Sequence, residues 1–234
     1  MNKKLSAVLA ASILFCTNFA SAEVEIDGAS NAPATINHTD STYYPNLDFY
    51  NMTSTDSLTI LPNYPTYQQT TEYTCDPAAA LTVLRYYDNN YYDEMKLAKE
   101  MKTQGYPIGT NPANMVKFFE RIGWKVQSSL TSKPLKNYAE FKDFVLGNLR
   151  RGVPIMVENV EFGGNWRVII GYDTMNNDTS LDDVLIFMDS YDTSDHKQDG
   201  YTFGSGRRFF AMWFDHSMLP ENQRKQPWLT ATPN

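Results

Sequence analysis

Cys75 opens a helix-forming run, Cys75-Asp76-Pro77-Ala78-Ala79-Ala80. A thiol at a helix start sits against unsatisfied backbone N–H groups and the positive end of the macrodipole, which favours the thiolate. The thiolate is the nucleophile, so this placement supplies half of what a thiol hydrolase requires. The bland alternative is a small buried hydrophobe, the usual fate of a free cysteine. Asp76 acts against reactivity, because a carboxylate beside the sulfur disfavours a second negative charge. Its ordinary role is that of an acid stabilising the helix N-terminus.

The other half of the chemistry is a base that takes the thiol proton and returns it to a leaving group near working pH, a task suited to imidazole. The chain has three histidines, His38, His196 and His216. His38 lies in a polar stretch, and His216 follows Trp213-Phe214-Asp215 as a surface or packing residue. His196 sits in the acidic loop Asp192-Thr193-Ser194-Asp195-His196, where a solvated side chain is the ordinary reading, yet it is the best candidate of the three for a base. With no cysteine nearby and no helical pairing they make no metal site, and no cofactor is expected. Glu158 and Glu161 read as a solvent face of one strand. Gly163-Gly164 and Gly204-Ser205-Gly206 lack an expected following helix, so neither reads as a phosphate loop.

Around these residues the bulk properties narrow the class. Met1-Asn2-Lys3-Lys4, an apolar run to Phe19 and Ala20-Ser21-Ala22 form a secretory leader with expected cleavage after Ala22. No stretch is long and apolar enough to predict a stable membrane anchor, and the protein is expected to be periplasmic or secreted. Of two cysteines, Cys16 falls in the leader, which leaves Cys75 without an internal partner. Loss of Lys3 and Lys4 with the leader takes the formal charge from -7 to -9, since no acid leaves with them. An acidic chain without a basic cluster excludes nucleic-acid binding, which needs a cationic footprint. The expected organisation is a leader at 1–22, a polar arm at 23–60, one domain at 61–228 and a tail at 229–234.

Four helices must come first. The first starts at Cys75, with Ala79, Ala80, Val83 and Leu84 at helical spacing; a second runs from Asp93 to about Lys102. A third is capped by Asn111, with Pro112 as its first residue, and a fourth spans roughly Tyr138 to Arg151. After Gly152 the pattern shortens into strands at Pro154–Val160, Trp166–Tyr172, Val184–Met188 and Phe209–Phe214. Helices followed by strands predict an α+β domain, with helices packed on a largely antiparallel sheet.

Three ordered segments then carry a resemblance. Gln69-Thr70-Thr71-Glu72-Tyr73-Thr74-Cys75-Asp76-Pro77 resembles the nucleophile segment of papain-like cysteine peptidases. The branch it resembles is cysteine peptidase family thirty-nine, the bacteriocin-leader peptidases and their stand-alone exported relatives. Gly163-Gly164-Asn165-Trp166-Arg167-Val168 resembles that family's histidine strand, and Val184-Leu185-Ile186-Phe187-Met188-Asp189 the strand ending in the acid that orients the histidine. The similarity runs over roughly residues 60–228. It implies a papain-like fold, Cys75 as nucleophile, Gln69 in the oxyanion hole and Asp189 as the third member of the triad.

The departures are chemical. The family pattern has Gly where this chain has Asp76, Pro where it has Ser190, and His where it has Asn165. An amide hydrogen-bonds but does not titrate near neutrality, so it cannot act as the base. The expectation is a pseudopeptidase that holds a peptide or exported protein in its cleft. Two alternatives stay open: an active cysteine peptidase or acyl-transfer enzyme with a relocated base such as His196, and an accessory subunit of an export or surface-assembly system.

Overall fold

The computed structural model describes residues 27–31, 43, 46–193, 195 and 197–234. The expected leader, His38 and His196 lie outside the described residues. In chain order the elements are β1 (Leu58–Ile60), α1 (Cys75–Tyr86), α2 (Glu94–Glu100), α3 (Pro112–Arg121), β2 (Lys125–Ser128), α4 (Tyr138–Leu149), β3 (Ile155–Asn159), β4 (Asn165–Asp173), β5 (Val184–Asp189), β6 (Tyr201–Ser205), α5 (Gly206–Ala211) and β7 (Trp228–Thr232). The α+β reading holds, with all strand pairs antiparallel.

The helices start where their caps dictate. Asn111 accepts from the Asn114 N–H at 3.0 Å and Asp93 from the Lys96 N–H at 2.7 Å, each relieving an unsatisfied first-turn donor. Helix α1 is different. Its residues Cys75 to Leu84 are all buried, as expected of a helix apolar on every side. Three consecutive alanines let it press closely against β4, the strand that carries the second chemical segment.

The sheet order is β2-β7-β3-β4-β5-β6. β4 is long enough to serve two neighbours along one edge: residues 165–169 pair with β3, and Gly171 to Asp173 pair with β1. Its other edge pairs with β5, so that Arg167 lies opposite Asp189. That register brings the start of β4 and the end of β5 to the same place, beside the start of α1.

Three stretches differ from the sequence expectation. Gly206 to Ala211 is helical, not part of a strand, because Ser205 caps it by accepting from the Arg208 N–H at 3.3 Å, and Phe209 and Trp213 then fall on one face at helical spacing. The stretch assigned to a tail forms β7, between β2 and β3, with Leu229 and Ala231 fully buried. Part of the polar arm also belongs to the fold. β1 joins the sheet, Phe49 is in the core, and Gly28 and Ser30 donate N–H bonds to the carbonyls of Thr70 and Gln69 at 3.1 and 2.9 Å.

Candidate active site

Cys75, Gln69 and Asn165 line one open cleft of about 230 Å³, with Tyr106, Phe162 and Tyr191 as its aromatic walls. Three segments far apart in sequence are therefore brought together in the arrangement their motifs imply. Phe162 and Tyr106 are 70% and 75% exposed, so the cleft presents large apolar faces to solvent at its mouth.

Asn165 begins β4 and is 3% exposed. Its Nδ2 donates to Asp189, at 3.3 Å to Oδ1 and 3.5 Å to Oδ2. Asp189 also accepts from the Tyr191 N–H at 3.0 Å and from the Thr202 hydroxyl at 3.4 Å, and the Arg167 guanidinium stands 3.7 Å away. Arg167 in turn reaches Glu161 at 2.6 Å and stacks over the Phe187 ring. The carboxylate thus accepts from residue 165, and the donor there is an amide. The turn before Asn165 is unusual: Phe162, Gly163 and Gly164 have φ of 54°, 85° and 142° in succession. Only glycine adopts the last without strain, which accounts for a glycine directly before the site.

Gln69 is 1% exposed and held from both ends. Its Oε1 accepts from the Ser190 hydroxyl at 2.8 Å, and its Nε2 donates to the Thr71 carbonyl at 2.8 Å. Ser190, where the family pattern has proline, is fully buried, and its carbonyl also accepts from the Gln69 N–H at 3.0 Å. One amide hydrogen of Gln69 is thereby spent on the backbone, leaving the second for any oxyanion.

The sulfur itself is poorly placed for ionisation. Burial pushes the Cys75 thiol well above its ordinary value; the Asp76 carboxylate pushes it further, and the approaching Trp166 backbone N–H opposes both. The thiol donates to Asp76 Oδ1 at 3.6 Å, a contact that stabilises the protonated sulfur. Asp76 is 1% exposed, and burial raises its own carboxyl to about 8. The helix dipole therefore acts against two larger opposing effects.

His216 is exposed and lines neither this cleft nor the smaller cavity beside it. Glu158, expected on a solvent face, is 2% exposed. All five β3 residues are buried, so the strand is covered on both faces and Glu158 has no solvent face to occupy. Asp215, which had no expected role, is 4% exposed, and burial and Asp215 together raise the Glu158 carboxyl well above the usual carboxylate range. The sequence signal that could have found Glu158 is its position directly after the uninterrupted apolar run Ile155-Met156-Val157, which suits a strand buried on both faces.

The model of the Peptidase_C39 like family matches residues 61–214. The crystal structure of the peptidase domain of Streptococcus ComA, a bifunctional ABC transporter involved in quorum sensing, is similar at a TM-score of 0.50 and 18% identity, covering 73% of this chain and 99% of that domain. The same domain from Streptococcus mutans, solved with a small-molecule inhibitor, gives a TM-score of 0.39 at 15% identity, covering 73% of this chain and all of that one. At 18% identity the likeness to the first is one of fold. No curated protein matches the chain.

Proposed function

We propose that this chain, which belongs to the Peptidase_C39 like family, is an exported pseudopeptidase that binds a peptide or an extended segment of an exported protein and does not cleave it. The observation that carries the reading is the Asn165 amide donating to Asp189 in the cleft that holds Cys75. On this reading Cys75 is in the position of the nucleophile, Gln69 of the oxyanion donor, Asp189 of the orienting acid and Asn165 of the base, and their shared place around one cleft supports it. In a working site the sulfur gives its proton to an imidazole as the C–S bond forms, and the leaving amine takes that proton back. An amide nitrogen has no lone pair free for the proton, so neither transfer has a carrier. Loss of the base from such a unit costs on the order of a millionfold in rate.

Binding is a separate matter. A cleft with exposed Tyr106 and Phe162 and a neighbouring Tyr191 offers apolar area and stacking surfaces for a peptide, and none of these depends on the missing base. The export part of the reading rests on the leader-like residues 1–22.

The test is turnover of a mixed peptide library by protein beginning at Glu23, beside its Cys75→Ala and Asn165→His variants. The expected result is no cleavage above the Cys75→Ala background and retained peptide binding in both parent and Cys75→Ala. Hydrolysis by the parent that Cys75→Ala abolishes would overturn the proposal.

A further inference from the structure

Beside Cys75 lies a second, smaller cavity of about 40 Å³ whose walls include buried acids. Asp76 and Glu158 both line it, along with the sulfur and Trp166. Neither carboxylate oxygen of Glu158 has a hydrogen-bond partner, and neither does Asp76 Oδ2. At 2% and 1% exposure these oxygens have lost water without gaining a donor, a costly state unless something else fills the place. Behind Glu158 stands Asp215, whose Oδ1 accepts from the Leu219 N–H at 2.8 Å and faces Arg224 at 3.6 Å, while its Oδ2 also lacks a partner. Among the described residues no ion pair reaches Asp76 or Glu158.

The cavity is kept open beside these two carboxyl groups. A Cβ on Gly164 would stand 3.1 Å from Glu158 Oε1, and one on Gly109 would stand 3.0 Å from Asp76 Oδ1. Side chains at either position would crowd the acids; glycines leave them reachable. We infer that this cavity is a subsite for a primary ammonium group, held between Glu158 and Asp76 and donating to their unpartnered oxygens.

Size and geometry choose among cations. About 40 Å³ admits a compact ammonium head with a water or two, at roughly 10–15 Å³ for each. A planar guanidinium with five fixed donors needs a wider fork of acceptors. No cluster of His, Cys, Asp or Glu among the described residues has the arrangement that holds a metal ion. The ammonium can come from a lysine side chain of a peptide crossing the sulfur or from a free amine. The assignment stands whether or not Cys75 turns over a substrate. The competing occupant is a proton shared between Glu158 and Asp215.

The experiment is thermal melting and calorimetric titration of the protein with n-butylammonium chloride, against tetramethylammonium chloride, which has the charge but no N–H to donate. The expected result is a dose-dependent rise in Tm with the first salt alone, and an apparent affinity at least roughly tenfold weaker in Glu158→Gln. Asp215→Asn, which can still accept from the Leu219 N–H, serves as a second variant and is expected to weaken binding less. Equal response to both salts, or an unchanged response in Glu158→Gln, would overturn the inference and leave a shared proton as the occupant. Peptides acetyl-Ala-Lys-Ala-amide and acetyl-Ala-norleucine-Ala-amide separate the sources. Tighter binding of the lysine peptide than of n-butylammonium assigns the pocket to a peptide side chain. Binding no tighter assigns it to free amines.

Discussion

At the scale of single residues, the proposed lack of cleavage rests on side chains that leave the shape alone and set the chemistry. Asn165 keeps the bond to Asp189 and removes the titrating nitrogen. Asp76 keeps the start of α1 and holds the proton on the sulfur. Replacing Asp76 by Asn removes the charge at nearly constant volume, so the Cys75 thiol is expected to ionise at lower pH and to be alkylated by iodoacetamide roughly tenfold faster at pH 8. No change in rate would mean that Asp76 has no electrostatic hold on the sulfur. The two defects also predict an order of repair. Asn165→His alone leaves Asp76 against the thiol, and Asn165→His with Asp76→Gly is expected to hydrolyse peptides faster than either single variant. These residues were legible in the sequence because motif spacing names positions. Glu158 was not, because its burial depends on what packs over its face of β3, which no local pattern states.

At the scale of elements, the caps were the dependable signals. Asn111 with Pro112, and Asp93 three residues before Lys96, fix helix starts through local hydrogen bonds that need no knowledge of the rest of the fold. Strand β7 had no such local mark. Its sequence Trp-Leu-Thr-Ala-Thr alternates only weakly, and its burial comes from β2 and β3, both more than sixty residues earlier. The segment before it failed in the opposite direction: Phe209 and Phe210 have strand-like composition, and they lie in the helix that Ser205 caps. Leu229→Ala is therefore expected to destabilise the protein by about 2–5 kcal/mol in urea denaturation, whereas a residue in a solvated tail would leave stability unchanged. Ser205→Ala should cost about 1 kcal/mol by the same measurement.

For the whole molecule, the buried acids make stability depend on pH in an uncommon direction. Burial raises the Asp76 carboxyl to about 8 and, with neighbouring Asp195 adding to the effect, Asp192 to about 8, from an ordinary value of 3.8. Between those values the folded protein holds protons that the unfolded chain has released. Unfolding then releases protons, so stability is full below about pH 4 as far as these groups are concerned and falls as pH rises towards 8. Each group contributes at most about 1.4 kcal/mol per pH unit within that window. Urea midpoints measured at pH 5 and pH 8 should therefore be higher at pH 5, and Asp76→Asn should narrow the gap chiefly by raising the pH 8 value. A midpoint that climbs with pH in both proteins would show that the acids are compensated in the fold. Asp76 links this behaviour to the site, because the same buried acid stands against the Cys75 thiol.

The most direct measurement is the rate of iodoacetamide alkylation of Cys75 in the unmodified protein across pH 5 to 10. A buried thiol with an amide for a neighbour and a carboxylate at its side should react along a single rise whose midpoint lies above the ordinary thiol value of about 8.5. A reactive plateau already reached near pH 6 would mean that a cation stabilises the thiolate in the resting protein. A base would then be at work in the cleft, and the reading of Asn165 as its loss would be wrong.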